Sequence, residues 1–294
     1  MAFNLTLTFI GCGNMGSAIL SGVLDASTSP EIPCPFNRII ACTKTQKSAE
    51  TLAARYKGHK SPIELSYLAD SNSTAASQSD VIILGCKPYL VDAVLAEPGL
   101  ADALAGRLVI SIIAGKTIEV LSETISKNKS QNSSTAAVVA RAIPNVAASI
   151  RESMTVIELP AAPSPTKEHS DIITWIFSRI GQTKIISPDL FDCGSMLMAS
   201  IATMSVAVDG ILDGCVAEGM KRSEANEMTA QCLLGLAKLL QEGHHPAVLR
   251  ESISSPRGCT IQGLLAVEKA GVRSAFADSV IAGTQHLKKL QGKE

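Results

Sequence analysis

Along the first two thirds of the chain, short runs of consecutive apolar residues alternate with stretches of helical period. The runs at 5–10, 38–42, 81–86, 108–113 and 137–140 are rich in Ile, Val and Leu and lack polar alternation. Such runs suit parallel strands buried on both faces. Between them, residues 14–24, 45–56, 89–96 and 118–127 combine good helix formers with helical spacing of apolar positions. The alternation predicts a doubly wound α/β sheet. Two further short strands are expected at 154–159 and 184–186, and a helix at 166–180. Residues 27–36, with three prolines, the polar stretch 127–135 and the proline-rich 160–165 read as loops, the middle one mobile.

After Ser187-Pro188 the pattern changes. Residues 189–219, 223–242, 247–253, 261–270 and 274–291 all have helical period, with Gly243, Gly258 and Gly271 as stops. The expected boundary therefore lies between 187 and 188, with an α/β domain at 1–187 and an all-α domain at 188–294. The helix at 189–219 would extend about 45 Å at 1.5 Å per residue, too long and too apolar to bury itself in one small domain. A second copy across a two-fold axis is the expected cover, with the interface mainly at 189–240.

Composition narrows the classes of function. The 294 residues carry 26 Lys and Arg against 27 Asp and Glu, a net charge of −1, which excludes a polyanion binder working through bulk charge. Aromatic residues are 3%, leaving few stacking platforms for single-stranded nucleic acid. The cysteines Cys12, Cys34, Cys42, Cys86, Cys193, Cys215, Cys232 and Cys259 form no C-x-x-C, and no His stands near them in zinc spacing. They read as small hydrophobes in a reducing compartment, and no metal is expected. No apolar stretch approaches the roughly 20 residues of a membrane span. The first residues read as a strand and not as a signal peptide. The expectation is a soluble cytoplasmic protein with no nucleic-acid or membrane partner.

The first apolar run leads directly into Gly11-Cys12-Gly13-Asn14-Met15-Gly16 and then a helix. This is G-x-G-x-x-G in its strand–turn–helix context, the Rossmann-type dinucleotide fingerprint. Its glycines serve the tight turn, the approach to a pyrophosphate and helix–strand packing, and the helix N-terminus faces the phosphates. The second strand ends in Thr43-Lys44-Thr45 with no acidic residue to bond a ribose 2′-hydroxyl. Two hydroxyls and an ammonium suit a 2′-phosphate, so NADPH is expected, with NADH as the alternative. A solvated lysine at a helix start is the other reading of Lys44. The fourth and fifth strand ends, Cys86-Lys87-Pro88 and Ala114-Gly115-Lys116, should flank the same crevice.

Near the C-terminus, Ser254-Ser255-Pro256-Arg257-Gly258-Cys259-Thr260 precedes a helical stretch. Thr260 falls where a helix cap belongs, and the segment would also make a carboxylate pocket of backbone N–H groups and hydroxyls. It resembles the S-S-P-G-G-x-T signature of the pyrroline-5-carboxylate reductase family. Further matches in order are the Gly11–Gly16 loop, Asn72 eight residues before Asp80, GCKP at 85–88, IIAGKTI at 112–118, RAIPN at 141–145 and LDGCVAEGM at 212–220. The resemblance spans nearly the whole chain.

It implies a two-domain NAD(P)H-dependent reductase that converts L-1-pyrroline-5-carboxylate to L-proline, the last step of proline synthesis. By that resemblance Gly11, Gly13, Asn14, Met15, Gly16, Thr43, Lys44, Thr45, Asn72, Cys86, Lys87, Pro88, Ala114 and Gly115 would hold the dinucleotide. Asn145 would lie near the nicotinamide and substrate. Ser255, Gly258, Cys259 and Thr260 would receive the carboxylate, with the Thr260 hydroxyl the catalytic group close to the imine nitrogen. The resemblance also implies an intertwined homodimer and, built from such dimers, a decamer.

Three departures stand out. The family's P-N-T-P reads Pro144-Asn145-Val146-Ala147, and its Gly-Gly reads Arg257-Gly258. Its S-G-S-G-P-A, part of the substrate site, is Leu197-Met198-Ala199-Ser200-Ile201-Ala202, leaving Ser200 as the one hydroxyl. Intact cofactor motifs beside altered substrate motifs leave two alternatives open: an imine reductase of secondary metabolism with a bulkier or less polar ring, and a nucleotide-binding homologue without turnover. Imine reduction needs a hydride at carbon and a proton at nitrogen, which a hydroxyl or ordered water can relay. No catalytic histidine is expected: His59, His169, His244, His245 and His286 read as surface residues in loops or at helix ends.

Overall fold

A computed structural model describes residues 4–130 and 135–291. The centre of the expected loop at 127–135 lies outside the described residues. Eight strands form one sheet: β1 (Leu5–Ile10), β2 (Phe36–Thr43), β3 (Glu64–Ala69), β4 (Val81–Leu84), β5 (Leu108–Ser111), β6 (Val138–Ile143), β7 (Ser153–Glu158) and β8 (Gly181–Ile185). Their order is β3-β2-β1-β4-β5-β6-β7-β8. The first six are parallel, β7 runs antiparallel to β6, and β8 is parallel to β7. The connections reverse direction between β1 and β4, the switch point where open α/β sheets bind ligands.

Helices α1 (Asn14–Ser27), α2 (Gln46–Tyr56), α3 (Asn72–Ser77), α4 (Val91–Leu95), α5 (Leu100–Ala103), α6 (Ile118–Lys127) and α7 (Lys167–Ser178) accompany the sheet. The strands read as continuous apolar runs because both faces are covered. Leu7 and Phe9 of β1, Ile83 of β4 and Ile110 of β5 pack with Ile19, Leu20 and Val23 of α1 and Ile173 and Ile176 of α7. Ile10, Ile82, Leu84 and Val109 join Val91, Leu95, Leu100 and Leu121 on the other face. Each of these core side chains is at most 1% exposed.

The expected strands and long helices are present, with ends shifted by a few residues. The stretch 89–96 is a 3₁₀ turn, Pro88–Leu90, leading into α4. Strand β3 was absent from the expectations. It is an edge strand with no fully buried residue, so its run is diluted by Glu64 and Ser66. Its pairing to β2 sets Glu64 opposite Arg38, and their side chains pair at 3.5 Å.

The chain falls into two compact units, residues 1–198 with 284–294, and residues 199–283. Helix α8 (Pro188–Ala217) is assigned to the first unit up to Met198 and to the second from Ala199. Helices α9 (Arg222–Gln241), α10 (Pro246–Ser252) and α11 (Cys259–Lys269) belong to the second, and α12 (Val272–Leu290) returns to the first at Thr284. Helix α8 is continuous through Gly210 and Gly214. It also corrects an expectation: it contains an 18-residue window of mean hydropathy 1.6, long and apolar enough to cross a membrane. Ser, Thr and Gly interrupt the run yet leave its mean high, which hid it from a search for unbroken apolar residues. Only 17% of that window is buried, and Leu197, Met204, Val206 and Ile211 are more than half exposed.

Within the first unit, one charged cluster is buried. Arg141 of β6 pairs with Glu158 of β7 at 2.9 Å and approaches Asp192 of α8 at 3.9 Å. Its guanidinium lies 4.1 Å from the centre of the Phe191 ring. Gln291 donates to Asp192 at 2.9 Å. Removing one partner of such a cluster strands the other charges in a dry interior. Arg141→Ala should therefore lower unfolding free energy by about 3 kcal/mol or more, read by urea denaturation. A loss below about 1 kcal/mol would show that the cluster is solvated.

Candidate active site

Strand β1 ends at Gly11, whose φ is +85°. The Gly11 and Cys12 amides both donate to the Cys42 carbonyl, at 3.1 and 2.9 Å, tying the turn to the end of β2. A Cβ on Gly11 would sit 2.8 Å from the Cys86 nitrogen, so backbone from β1 and β4 touches there. Gly16 has ordinary clearance, with Cys12 Sγ at 3.4 Å from such a Cβ. Gly13 differs: nothing lies within 4 Å of a Cβ built on it, and its φ is −84°. The protein therefore has no steric need for glycine at that position, whereas a pyrophosphate drawn against the backbone does. Gly13 is the N-cap of α1, no side chain caps that helix, and its first turn holds no acid. The helix end keeps its donors and partial positive charge for an anion.

A cleft of about 530 Å³ opens there. Its walls include Gly11, Cys12, Gly13, Thr43, Lys44, Asn72, Gly85, Cys86 and Lys87, so half of the fourteen expected dinucleotide residues converge. Ser48, Asp70 and Glu97 line it too and were missed in the sequence. Ser48 is one helical turn beyond Lys44, a spacing that could have flagged it. Asp70 follows the edge strand β3, whose apolar run is diluted, and Glu97 follows α4, too short for a helical period to register. Thr45 is not among the lining residues: its hydroxyl caps α2, accepting from the Ser48 amide at 3.2 Å. Asn14, Met15 and Gly16 open α1 beside the cleft, and Pro88 starts the 3₁₀ turn after it. Lys87 Nζ stands 5.9 Å from the centre of the exposed Tyr89 ring. Ala114 and Gly115 follow β5 outside this lining, and a Cβ on Gly115 would lie 3.7 Å from Leu290.

The thiols around the cleft are inert. Burial pushes Cys12 and Cys42 up to about 12 and Cys86 up to about 11. At neutral pH they are protonated and act as small apolar groups. No group of three or more His, Cys, Asp or Glu residues could hold a metal among the described residues. No histidine lines the cleft. His169 and His245 cap helices, and the half-buried His59 lies 3.0 Å from Asp25. His59 and His169 are half-exposed, each with a hydrogen-bond partner at the surface.

Asn145 follows β6 and starts a 3₁₀ turn, Val146–Ile150; its side chain accepts from the Ala147 amide at 3.1 Å. The Ser255–Thr260 loop, expected to receive a carboxylate, belongs to the second unit. Helix α11 starts at Cys259 with Gly258 as N-cap and no side-chain cap bond. Thr260 is thus the second helical residue and not the cap, because the Gly258 backbone is already extended while Thr260 lies within the first turn. Arg257 adopts φ +62°, the left-handed region, where the family has glycine. A Cβ on Gly258 would meet Ser255 Oγ, which would have to rotate, and would lie 3.1 Å from the Ser255 carbonyl, so the site is tight for a side chain. Ser200 lies inside α8, where its carbonyl accepts from the Thr203 hydroxyl at 2.9 Å.

The two loop glycines should separate experimentally. Gly11→Ala combines a left-handed φ with a backbone clash and should cost about 2 kcal/mol or more of stability. Gly13→Ala should melt with the parent yet lose dinucleotide affinity, measured by titration. Parental affinity in Gly13→Ala would remove the pyrophosphate from that position.

Both halves of the chain match known families. A family model described as pyrroline-5-carboxylate reductase dimerisation matches residues 188–290. One described as NADP oxidoreductase coenzyme F420-dependent matches residues 6–115. The pyrroline-5-carboxylate reductase of Lophium arboricola is 38% identical over 295 residues, covering 95% of this chain and 91% of that protein. That of Neurospora crassa is 39% identical, with the same coverage of both chains. Among solved structures, a pyrroline-5-carboxylate reductase from Coxiella burnetii shares the fold with a TM-score of 0.79 at 24% identity, covering 98% of both chains. A Plasmodium falciparum pyrroline carboxylate reductase with NADP bound gives the same TM-score at 20% identity, covering 99% of this chain and all of that one. With 38–39% identity over 95% of its length and a dimerisation family model matching residues 188–290, the chain belongs to the pyrroline-5-carboxylate reductase family.

Proposed function

We propose that this protein reduces L-1-pyrroline-5-carboxylate to L-proline with NADPH. The observation that carries the reading is the dinucleotide cleft at the β1–β4 switch point in a chain 38% identical to a curated pyrroline-5-carboxylate reductase. The open space at Gly13 and the uncapped α1 terminus fit a pyrophosphate. When bound, a reduced nicotinamide dinucleotide supplies the hydride for the imine carbon.

The chain's own residues do the rest. Thr43, Lys44 and Ser48 surround a 2′-phosphate, with hydroxyls and one ammonium from the end of β2 and the start of α2. Lys87, at the end of β4, faces the same cleft. Asn145, held rigid by its own turn, orients the nicotinamide end and the ring. The Ser255–Thr260 loop receives the substrate carboxylate through clustered backbone N–H groups at the start of α11. Because Gly258 is the cap, the Thr260 hydroxyl is not consumed by capping and can hand a proton to the imine nitrogen. Functionally the chain divides into a cofactor part at 1–187 and a substrate part at 188–294.

The helical part works as a homodimer. Helix α9 exposes apolar side chains as well: Met228, Leu233, Leu234 and Leu240 are each more than 40% exposed. Covering such a surface with a second copy removes it from water at about 25 cal/mol per Å². This reading, supported by the match to a dimerisation family model, also accounts for the membrane-like hydropathy of α8. The cysteines are all free, in keeping with work in the cytoplasm.

Helical geometry across residues 197–202 favours a second reading of the substrate. An apolar helical wall with Ser200 as its hydroxyl fits a bulkier or less polar cyclic imine. NADPH oxidation measured with pyrroline-5-carboxylate beside alkylated pyrroline and piperideine carboxylates decides. Turnover of the first substrate supports the main reading, turnover only of the others supports the second, and binding without turnover defeats both.

Lys44→Glu should lower the NADPH:NADH ratio of kcat/KM by about 10-fold or more, by removing a charge-assisted contact and adding repulsion. A parent enzyme that prefers NADH would contradict this. Thr260→Ala should leave the melting temperature unchanged, since no cap is lost, and reduce kcat with dinucleotide affinity retained. Unchanged turnover would reduce Thr260 to a helix residue without a chemical role.

A further inference from the structure

The 3₁₀ turn Val146–Ile150, which Asn145 begins, follows β6 yet packs against helix α1, although β4 and β5 separate β6 from β1 in the sheet. Packing anchors it at Ala148, which is buried and shares a core with Ile19 and Val23 of α1. Val146 and Ile150 are each 70% exposed. Apolar contact therefore holds one point of the turn, and polar bonds must set its direction. At its start, the Asn145 amide donates to the buried Ser153 hydroxyl at 3.0 Å.

Arg151 closes the turn with φ +66°, the left-handed region that glycine enters freely and a side chain enters under strain. What its side chain gains is a bridge to α1. Nη1 donates to the Ala18 and Ala148 carbonyls, both at 3.3 Å, so one nitrogen joins helix and turn. Nη2 donates to Ser21 Oγ at 2.7 Å and to Asp25 Oδ2 at 2.6 Å. Ala18, Ser21 and Asp25 are spaced three and four residues apart, on one face of α1. Met15, in the first turn of that helix, begins the same face. The other Asp25 oxygen lies 3.0 Å from His59 Nε2, so the carboxylate is held from both sides.

A half-exposed ion pair contributes little by itself. Here it is one arm of a planar fork that reaches three acceptors on α1 and one in the turn, which fixes angle as well as distance. Helix α1 starts at the glycine loop, and Asn145 starts the turn. The fork thus ties the segment expected at the ring to the segment expected at the pyrophosphate. We propose that Arg151 is a positioning residue: it clamps the Asn145 turn to α1 and so sets Asn145 relative to the dinucleotide loop for imine reduction. The proposal rests on the reading that puts Asn145 beside the nicotinamide and the ring.

The test uses the full chain. Arg151→Gly suits it, because glycine accepts the left-handed φ and only the guanidinium is lost. In the cofactor-free protein, hydrogen–deuterium exchange across residues 145–152 should quicken by about 5-fold or more. Arg151→Asn, which also tolerates that φ, should do the same, separating the lost fork from glycine's own flexibility. The melting temperature should stay within about 2 °C of the parent. NADPH affinity by titration should stay within about twofold, since the phosphate contacts lie elsewhere. The kcat/KM for the imine should fall by about 5–30-fold, the range of one or two hydrogen bonds. Arg151→Lys, which keeps the charge without the fork, should recover only part of this loss. In an Asn145→Ala background, Arg151→Gly should cost nothing further. Parental exchange across 145–152 in both Arg151→Gly and Arg151→Asn would overturn the clamp. Should Arg151→Gly not fold, Arg151→Asn takes its place under the same expectations. Parental turnover by Asn145→Ala fails the reading of Asn145 itself; a loss there with an additive cycle fails only the role of Arg151.

Discussion

The site depends on how closely two strand exits approach. Strand order places β1 beside β4, and their exit turns meet where a Gly11 Cβ would lie 2.8 Å from the Cys86 nitrogen. On the other side, a Cβ on Gly85 would lie 3.0 Å from the Gly11 carbonyl. Two glycines therefore let the backbones close together, and the Gly11 and Cys12 amides bind the turn to Cys42 as well. Three strand ends are thereby fixed around one cleft. The uncapped α1 terminus, the hydroxyls after β2 and Lys87 after β4 all derive their placement from this junction. Rigid placement on strand ends is what a phosphate cradle needs, because donors set in advance spend no further ordering entropy on binding.

How much of this the sequence reveals follows from burial. Strands covered on both faces, such as Val81–Leu84 and Leu108–Ser111, leave continuous apolar runs that are easy to find. The edge strand β3 leaves none, because only one side of it packs. The glycine loop was legible since its motif fixes backbone geometry. The hydrogen bond from Asn72 to Glu97 in the cleft wall was not, because it joins residues 25 apart through elements of six and five residues. Such elements are too short for a helical period to register. Thr260 misled for a related reason: a threonine before an apolar run looks like a cap, but the extended residue was Gly258. Helix α8 was found with nearly its full length, while its hydropathy was underestimated because small polar residues punctuate it.

Arg141 shows why a strand can continue through a charge. The unbroken apolar run stops at Ala140, yet β6 reaches Ile143, with Arg141 3% exposed. Its partners come from three places: Glu158 on the neighbouring strand, Asp192 and Phe191 at the start of α8, and Gln291, through Asp192, after α12. These last two segments are where the chain leaves the sheet unit and where it returns. One buried guanidinium thus links the last part of the sheet to both crossings. A hydrophobic residue of similar size could fill the volume but could not specify three directions at once.

The carboxylate loop points the same way from a different kind of constraint. The family's first loop glycine is Arg257 here, yet the residue keeps a left-handed φ of +62°, which costs a side-chain-bearing residue about 1 kcal/mol. If the loop had lost its purpose, the cheaper outcome would be relaxation to an ordinary φ. Instead the strained backbone persists beside Gly258, whose missing side chain leaves room for Ser255. What the loop conserves is therefore the path of its main chain into α11. That fits a site in which backbone N–H groups hold a carboxylate, because such a site depends on where the amides point more than on which side chains border them. The departures at Arg257 and at residues 197–202 then have different meanings. On the proposed function, the first would keep a main-chain anchor for a carboxylate at a modest cost in strain, while the second would change a wall of the substrate site.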